Sequence, residues 1–434
     1  MQSNEVRKNS EDDVVGKNFA VREAMRGGRK EGSLLRRCCD YLRRRAAQFG
    51  WGSVLLFIAL DGCAKLASFD RPPPNPAPWY TLWGNYQAKF IDPQGRVIDW
   101  DDGGVTTSEG QAYALFFSLV ANERPLFHKI LTWTQNNLAQ GSLAAHLPAW
   151  RWGERSNKSW GVLDKNSAAD ADLWLAYTLI QAGRLWHRDS YTAIGILLAK
   201  RIEQKDVVDL KGMGPMLIPG KHGFNIGPDT YVFNPSYLPL PVVEGLANAL
   251  PHGPWKAMAA HLPAFIQASA PHGFAPDWIA YSPQQRYHTA PQGPEGSYNA
   301  IRVYLWAGMC NPNTRGAGHI LHSVNGMARY LRNHLLPPLH INWQTGDVAG
   351  KAPVGFSAAL IPYLARYGMS AAVHSQWLRL DADYDQATGL YGSQPHYYDQ
   401  NLALFGLGWA YRTIRFRPSG ALVPLWAHDD SQHQ

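Results

Sequence analysis

The sequence has little cysteine, few charged residues and no long apolar run, and each shortage excludes a class of protein. Four cysteines in 434 residues are too few for a disulfide-stapled scaffold. No apolar stretch reaches the roughly 20 residues of a spanning helix, which excludes a polytopic membrane protein. Charged residues make up 17% and hydrophobic residues 45%, so the chain is not disordered and can bury a sizeable core.

The positive charge is concentrated near the N-terminus. The whole chain carries +7, and residues 1–50 account for +5 of it. The remaining residues carry only +2, which gives no support to a nucleic-acid-binding face. The chain also lacks a glycine-rich phosphate loop and a Gly-x-Ser-x-Gly nucleophile motif.

Residues 1–65 are typical of an export segment. A basic stretch ending at residue 45 is followed by a ten-residue apolar run, residues 51–60, which is the signal-peptide pattern. The Leu-Asp-Gly-Cys sequence that ends at Cys63 is similar to a lipoprotein cleavage box, although Asp61 is atypical there. Lipidation at Cys63, ordinary cleavage nearby and an uncleaved anchor therefore remain alternatives.

The rest of the chain is predicted to form one all-α domain. A proline-rich, semi-rigid spacer covers residues 66–78, the domain residues 79–420, and a polar tail residues 421–434. Apolar residues recur at helical spacing over 109–121, 170–182 (ended by Gly183), 190–204, 240–250, 255–269, 299–309, 315–334, 355–367 and 401–412. Long loops separate these segments, a pattern that favours an all-α globule with functional loops at its helix ends.

Aromatic residues are abundant, with 17 Trp and 20 Tyr. Flat apolar rings with polar edges suit the faces of pyranose rings, although large rings also fill large cores. The loop cluster of Trp150, Trp152 and Trp160 is a candidate ligand groove.

Three predicted helices begin with polar residues. Glu109 follows Ser108, which we expect to form a capping box with Gln111. The helix dipole would lower the pKa of Glu109, so a role as general acid requires burial or a neighbouring carboxylate. Asp170 and Asp172 open the second helix, either as ordinary N-caps or as functional acids, and Asn299 opens the third. Glycoside hydrolases use two carboxyl groups, one on each side of the glycosidic bond that is cleaved.

The sequence resembles glycoside hydrolase family 8 over about residues 79–420. The matching stretches are residues 95–99, 107–111, 133–139, 147–150, 233–239, 300–304 and 355–359. The resemblance implies an (α/α)6 barrel and endo-acting, inverting cleavage of β-1,4-glucan in the periplasm. It points to the members associated with bacterial cellulose synthesis. The implied partners are glucan chains and the cellulose synthase complex.

The family's catalytic positions can be transferred one at a time. Its general acid falls on Glu109. The aspartate that older signatures describe as the nucleophile, and that binds the distorted sugar, falls on Asp170, beside Ala169 where the family has Ser or Thr. Its general base falls on position 299, which is Asn here, and a neutral amide cannot usefully accept a proton from water.

Three interpretations of Asn299 follow. Glu295 in the preceding loop replaces the base, as in some family members, or it is simply solvated. Otherwise the protein is a weak or inactive hydrolase that still binds glucan as an accessory factor of cellulose synthesis, or the chain is an inactive engineered variant.

Several aromatic and basic side chains complete the predicted site. The expected sugar-contacting residues include Tyr113, Tyr237 and Tyr298, and Arg302 lies one helical turn from position 299. No cofactor or metal is predicted, since His319 and His322 lack a third ligand.

Overall fold

The computed structural model describes residues 77–211 and 213–427. The predicted export segment with Cys63, the spacer up to residue 76 and residues 428–434 lie outside the described residues. Within them, every helix is too short or too polar to cross a membrane.

Thirteen α-helices occupy the described residues. They are α1 (Ala77–Phe90), α2 (Ser108–Val120), α3 (Arg124–Leu138), α4 (Ala169–Trp186), α5 (Asp189–Asp206), α6 (Leu240–Ala249), α7 (Trp255–Ser269), α8 (Ala300–Met309), α9 (Ala317–Ser323), α10 (Gly326–Tyr330), α11 (Val354–Arg366), α12 (Ser370–Asp383) and α13 (Tyr397–Ala410). A short 3₁₀ helix covers Pro235–Tyr237. Three of these helices, α1, α3 and α12, were not predicted.

Six helices form the inner ring of an (α/α)6 barrel, which confirms the predicted fold. Helices α2, α4, α6, α8, α11 and α13 are buried along most of their length. The ring of Phe405 on α13 lies 4.7 Å from Phe117, 5.0 Å from Trp306 and 5.2 Å from Trp174, measured between centroids. Aromatic side chains from four inner helices therefore meet in the core, where each buries a large apolar area.

Two helix predictions differ from the structure. Helix α4 continues past Gly183 to Trp186 and ends at His187, which adopts the left-handed conformation with φ 53°. A Cβ on Gly183 would overlap Thr192 of α5, so this glycine permits close helix packing and does not end the helix. The apolar segment 315–334 is divided into α9 and α10 because Gly326 packs on the backbone of Gly273 and donates to its carbonyl at 2.8 Å.

Fourteen short strands lie in the loops of the described residues. They are β1 (Thr106–Thr107), β2 (Arg151–Glu154), β3 (Trp160–Asp164), β4 (Val207–Leu210), β5 (Gly214–Leu217), β6 (Asn225–Gly227), β7 (Thr230–Phe233), β8 (Ile279–Ser282), β9 (Arg286–Thr289), β10 (Glu295–Gly296), β11 (Pro338–Asn342), β12 (Val348–Lys351), β13 (Tyr384–Asp385) and β14 (Leu390–Tyr391). They pair antiparallel in five small sheets, β1-β2-β3, β4-β5, β6-β7-β8-β9, β10-β11-β12 and β13-β14. Several of these loops precede inner helices, so the sheets stiffen the end of the barrel where those helices begin.

The predicted polar tail begins too early. Leu422 is fully buried, and its backbone N–H donates to the Gln181 side chain at 3.1 Å. The Trp426 indole donates to the Leu119 carbonyl at 3.2 Å. Residues 421–427 are therefore part of the domain, which extends past the predicted boundary at 420.

Candidate active site

The starts of three inner helices converge on one buried arginine. Helix α2 begins beside Glu109, α4 beside Asp170, and α8 directly after Asn299. The predicted capping box is wrong, because Thr107 is the N-cap of α2 and its hydroxyl accepts from the Gly110 N–H at 3.1 Å. Asp170 is likewise not a cap, since α4 is preceded by Ala168.

Gln111 fixes the loop that precedes α2 instead of capping the helix. Its Oε1 accepts from the Val97 N–H at 2.6 Å, and its Nε2 donates to the Thr134 hydroxyl at 2.9 Å. The preceding residue, Gly110, leaves room for the Tyr397 hydroxyl, which any Cβ at position 110 would overlap. These contacts hold the first turn of α2, and with it Glu109, in one orientation.

Arg302 joins the two predicted acids. Its Nη1 donates to Glu109 Oε2, to Asp170 Oδ2 at 2.8 Å and to the Tyr113 hydroxyl at 2.9 Å. Its Nη2 donates to the side-chain oxygen of Asn299, Oδ1, at 2.8 Å. The residue is only 2% exposed, so its charge is compensated almost entirely by these two carboxyls.

Burial decides the protonation of the acids. It raises the pKa of Glu109 to about 7, although Arg302 opposes this rise and Asp170 adds to it. Burial also raises the pKa of Asp170, again against the attraction of Arg302. Desolvation thus exceeds the helix-dipole effect, which was the condition for a general acid at position 109.

Both the side chain and the backbone of Asn299 are hydrogen-bonded. Its side-chain oxygen accepts from Arg302, and its backbone N–H donates to Asp277 Oδ1 at 3.0 Å. The same Asp277 oxygen accepts from Ser297 at 2.8 Å and from Ala300 at 2.7 Å. Asp277 therefore caps α8, and its own pKa is raised by burial. All three of these hydrogen bonds are accepted by Oδ1.

Glu295 lies in a different environment from Asn299, although only four residues separate them. It sits on β10, where its carboxylate contacts His340 Nδ1 of the neighbouring strand. Both side chains are 50% exposed. The hollow beside Glu295 is lined by β11, β12 and their loop and includes none of Glu109, Asp170 or Asn299.

The predicted tyrosines divide into buried and exposed members. Tyr113 binds Arg302 directly, and the Arg302 guanidinium lies 5.5 Å from the Tyr237 ring centroid. Tyr298 is 48% exposed, so its ring is available to a ligand. Its carbonyl accepts from the Tyr398 hydroxyl at 2.6 Å.

The predicted tryptophans line the β2–β3 hairpin. The Arg96 guanidinium lies 4.7 Å from the Trp152 ring and 4.8 Å from the Trp160 ring. Trp160 is 49% exposed and offers a flat face to solvent. The Trp150 backbone links two helix starts, since its carbonyl accepts from Ser108 at 2.9 Å and its N–H donates to Asn166 at 2.8 Å.

Sequence reasoning missed Asp277 and Tyr398. Asp277 lies 22 residues before Asn299 in a loop with no helical pattern, so nothing local signals its contact with α8. Tyr398 follows a proline-containing loop at the start of an inner helix, which is the signal that could have drawn attention to it. Among the described residues, no cluster of three potential metal ligands occurs, and His319 binds Gln267 at 2.9 Å.

Comparison with known proteins identifies the family. The family model of glycosyl hydrolases family 8 matches residues 73–412. An endoglucanase of Xanthomonas axonopodis pv. citri is 42% identical over 376 residues, which are 86% of this chain and 95% of that protein. An endoglucanase of Escherichia coli K12 is 40% identical over 81% of this chain and 92% of that protein.

A solved structure gives the same result. The crystal structure of an endo-1,4-D-glucanase from Vibrio fischeri superposes with a TM-score of 0.75 at 36% identity, covering 80% of this chain and 99% of that one. The chain belongs to glycosyl hydrolases family 8.

Proposed function

We propose that the protein is an endo-β-1,4-glucanase that cleaves glucan chains with inversion. The observation that carries this proposal is the Arg302 cluster, in which a carboxyl with a pKa of about 7 and a second buried carboxyl lie at converging helix starts. Glu109, protonated at neutral and lower pH, donates to the leaving oxygen. Asp170 binds the distorted sugar from its fixed position on Arg302. The endoglucanase names of the relatives support the glucan substrate.

The base remains to be assigned, because Asn299 is a neutral amide. We propose Asp277 in preference to Glu295. Asp277 is half-buried and accepts from the Asn299 backbone, and all three N–H groups bind its Oδ1, so we assign the proton acceptor to its Oδ2. Glu295 is half-exposed and contacts His340. The charges of Asp277 and Glu109 both raise the pKa of the Tyr398 hydroxyl. This supports a common site for the two acids.

A non-catalytic glucan-binding protein is the second candidate, and Asn299 is the observation that favours it. In this alternative the exposed rings of Trp160 and Tyr298 bind chains that are never cut. For either function we propose export to the periplasm and a role beside bacterial cellulose synthesis. The basic leader, the apolar run of residues 51–60 and the family resemblance support that location.

The deciding experiment measures the viscosity of carboxymethyl-cellulose with the full chain at high concentration, with Glu109→Gln as the blank. We expect viscosity to fall faster than reducing ends appear, as in endo-cleavage, and the first released anomer to be inverted. Viscosity equal to that of the blank would instead establish the binding protein.

Three variants then test the base. Asp277→Asn keeps the oxygen that accepts the three backbone N–H groups, and we expect it to lower kcat by about 10² to 10⁴. Asn299→Asp places a carboxylate beside Arg302, and we expect it to restore activity to Asp277→Asn. If Glu295→Gln lowers kcat by the larger factor, the base is Glu295 and this assignment is wrong.

A further inference from the structure

A basic hollow lies behind the loop that leads into α4. It has a volume of about 200 Å³ and is lined by four cationic side chains and one histidine, with no Asp or Glu in its wall. The cations are Lys165, Arg201, Lys205 and Lys221, and the histidine is His146. The four cations come from three chain segments, the loop before α4, helix α5 and the loop after β5, and His146 lies in the loop between α3 and β2.

These cations lack a close ion pair in the part of the chain that the structure describes. Across residues 77–211 and 213–427, none of the four forms an ion pair within 4.0 Å, whereas Arg151 pairs with Asp102 and Lys158 with Glu154. Arg201 donates only a long hydrogen bond of 3.3 Å to the Ala144 carbonyl, and its Nε has no partner. Unpaired like charges around a concavity focus a positive potential that favours an anion.

The floor of the hollow is ordered by hydrogen bonds. The Ser167 hydroxyl accepts from the Lys221 N–H at 3.1 Å and donates to Asp206 Oδ1 at 3.2 Å. Asp206 is the nearest carboxyl, but it is fully buried beneath Ser167 and has its pKa raised to about 7 by that burial. It therefore carries only part of a negative charge near neutral pH, and its attraction to Lys221 offsets only part of the positive charge.

A loop that lines the hollow leads into the candidate active site. Ser167 lies three residues before Asp170, and the neighbouring Asn166 carbonyl accepts from Trp150. Leu147, which also lines the hollow, precedes Trp150 by three residues. An anion bound in the hollow would thus contact segments that continue to Asp170 and Trp150.

We propose that this hollow binds an oxyanion, of the class of a phosphate monoester or a carboxylate. The arginine fork and the lysine ammonium groups are the donors that such groups prefer. The anion has two possible sources, a free small molecule or a charged substituent carried by the polysaccharide. The second source rests on the proposed function, whereas the binding of a free anion does not.

The test compares the full-length protein with Lys205→Gln/Lys221→Gln. Calorimetry with inorganic phosphate at constant ionic strength should give saturable binding, and the double variant should weaken it about tenfold. The control is Lys200→Gln, which removes one charge from the same helix but lines a different hollow. Absence of saturable binding to the unmodified protein, or equal weakening by the control, would overturn the proposal.

A second readout distinguishes the two sources. The ratio of kcat/KM on carboxymethyl-cellulose to that on neutral hydroxyethyl-cellulose should fall severalfold in the double variant if the anion is carried by the chain. An unchanged ratio together with lost phosphate binding supports a free anion instead. Phosphate binding is measured without turnover, so failure of the glucanase proposal does not affect it.

Discussion

Two glutamates in the same protein show how strongly local environment determines chemistry. Glu109 sits in the first turn of an inner helix, 21% exposed, on an arginine that also binds Asp170. Glu295 sits on a two-residue strand at the rim, half-exposed, beside a histidine that is equally exposed. Burial prepares Glu109 to hold a proton near neutral pH, whereas Glu295 has only a surface contact of little energetic weight.

The largest expected effect tests the buried member of this pair. Glu109→Gln removes the transferable proton but keeps the size and the hydrogen-bonding oxygen, so kcat on carboxymethyl-cellulose should fall by about 10² to 10⁴. Circular dichroism and thermal unfolding should show that the variant folds normally. Activity within tenfold of the unmodified protein would exclude Glu109 as the acid.

The second prediction concerns stability and compares buried with exposed arginines. Arg302→Met leaves Glu109 and Asp170 without their cation, and should lower the free energy of unfolding by about 3 kcal/mol at pH 8. The loss should be smaller at pH 5, because Glu109, with its pKa of about 7, is protonated there and no longer needs a cation. Arg151→Met breaks the exposed pair with Asp102 and should cost less than about 1 kcal/mol in the same urea titration. Equal losses in the two variants would contradict this account of burial.

The third prediction follows from the raised pKa of Glu109. An acid whose folded-state pKa lies above its unfolded value of 4.5 binds protons more tightly when folded, so its contribution to stability falls as pH rises from about 4.5 to about 7. Glu109→Gln lacks this dependence and should gain about 3 kcal/mol relative to the unmodified protein between pH 4 and pH 8. Urea unfolding at both pH values measures the gain.

The same pKa sets the alkaline limb of activity. The value of kcat/KM should decline about tenfold per pH unit above pH 7, as Glu109 loses the proton that it donates. A profile that stays flat to pH 9 would contradict either the pKa of about 7 or the role of Glu109 as the proton donor.

Sequence reasoning reached the barrel and the central acids because both depend on local or family patterns. Apolar periodicity marks inner helices such as α2 and α8, since each buries most of its surface. It failed for α3 and α12, whose apolar faces are narrow because they lie on the outside. The family motif placed Glu109, and helical spacing related Arg302 to position 299, where the structure confirms their contact.

The remainder of the site depends on long-range contacts that have no sequence period. Asp277 reaches α8 across 22 residues, and Tyr398 reaches Tyr298 across 100. The capping-box prediction failed for a related reason: Gln111 is buried against a distant loop, and that tertiary contact overrides its local preference. The prediction of Glu295 rests on the family resemblance and on its place in the preceding loop, and neither indicates that its side chain contacts His340 of the neighbouring strand.

The smallest expected effect tests that exposed glutamate. Glu295→Gln should change kcat/KM by less than about threefold, because substitutions of exposed side chains typically alter free energies by no more than about 0.5 kcal/mol. His340→Gln breaks the same contact from the other strand and should behave alike. Initial rates over a range of carboxymethyl-cellulose concentrations measure both. If Glu295→Gln abolishes activity while His340→Gln does not, the Glu295 carboxylate acts on the substrate despite its exposure. Both glutamates would then be required for activity, and they would differ only in the step that each performs.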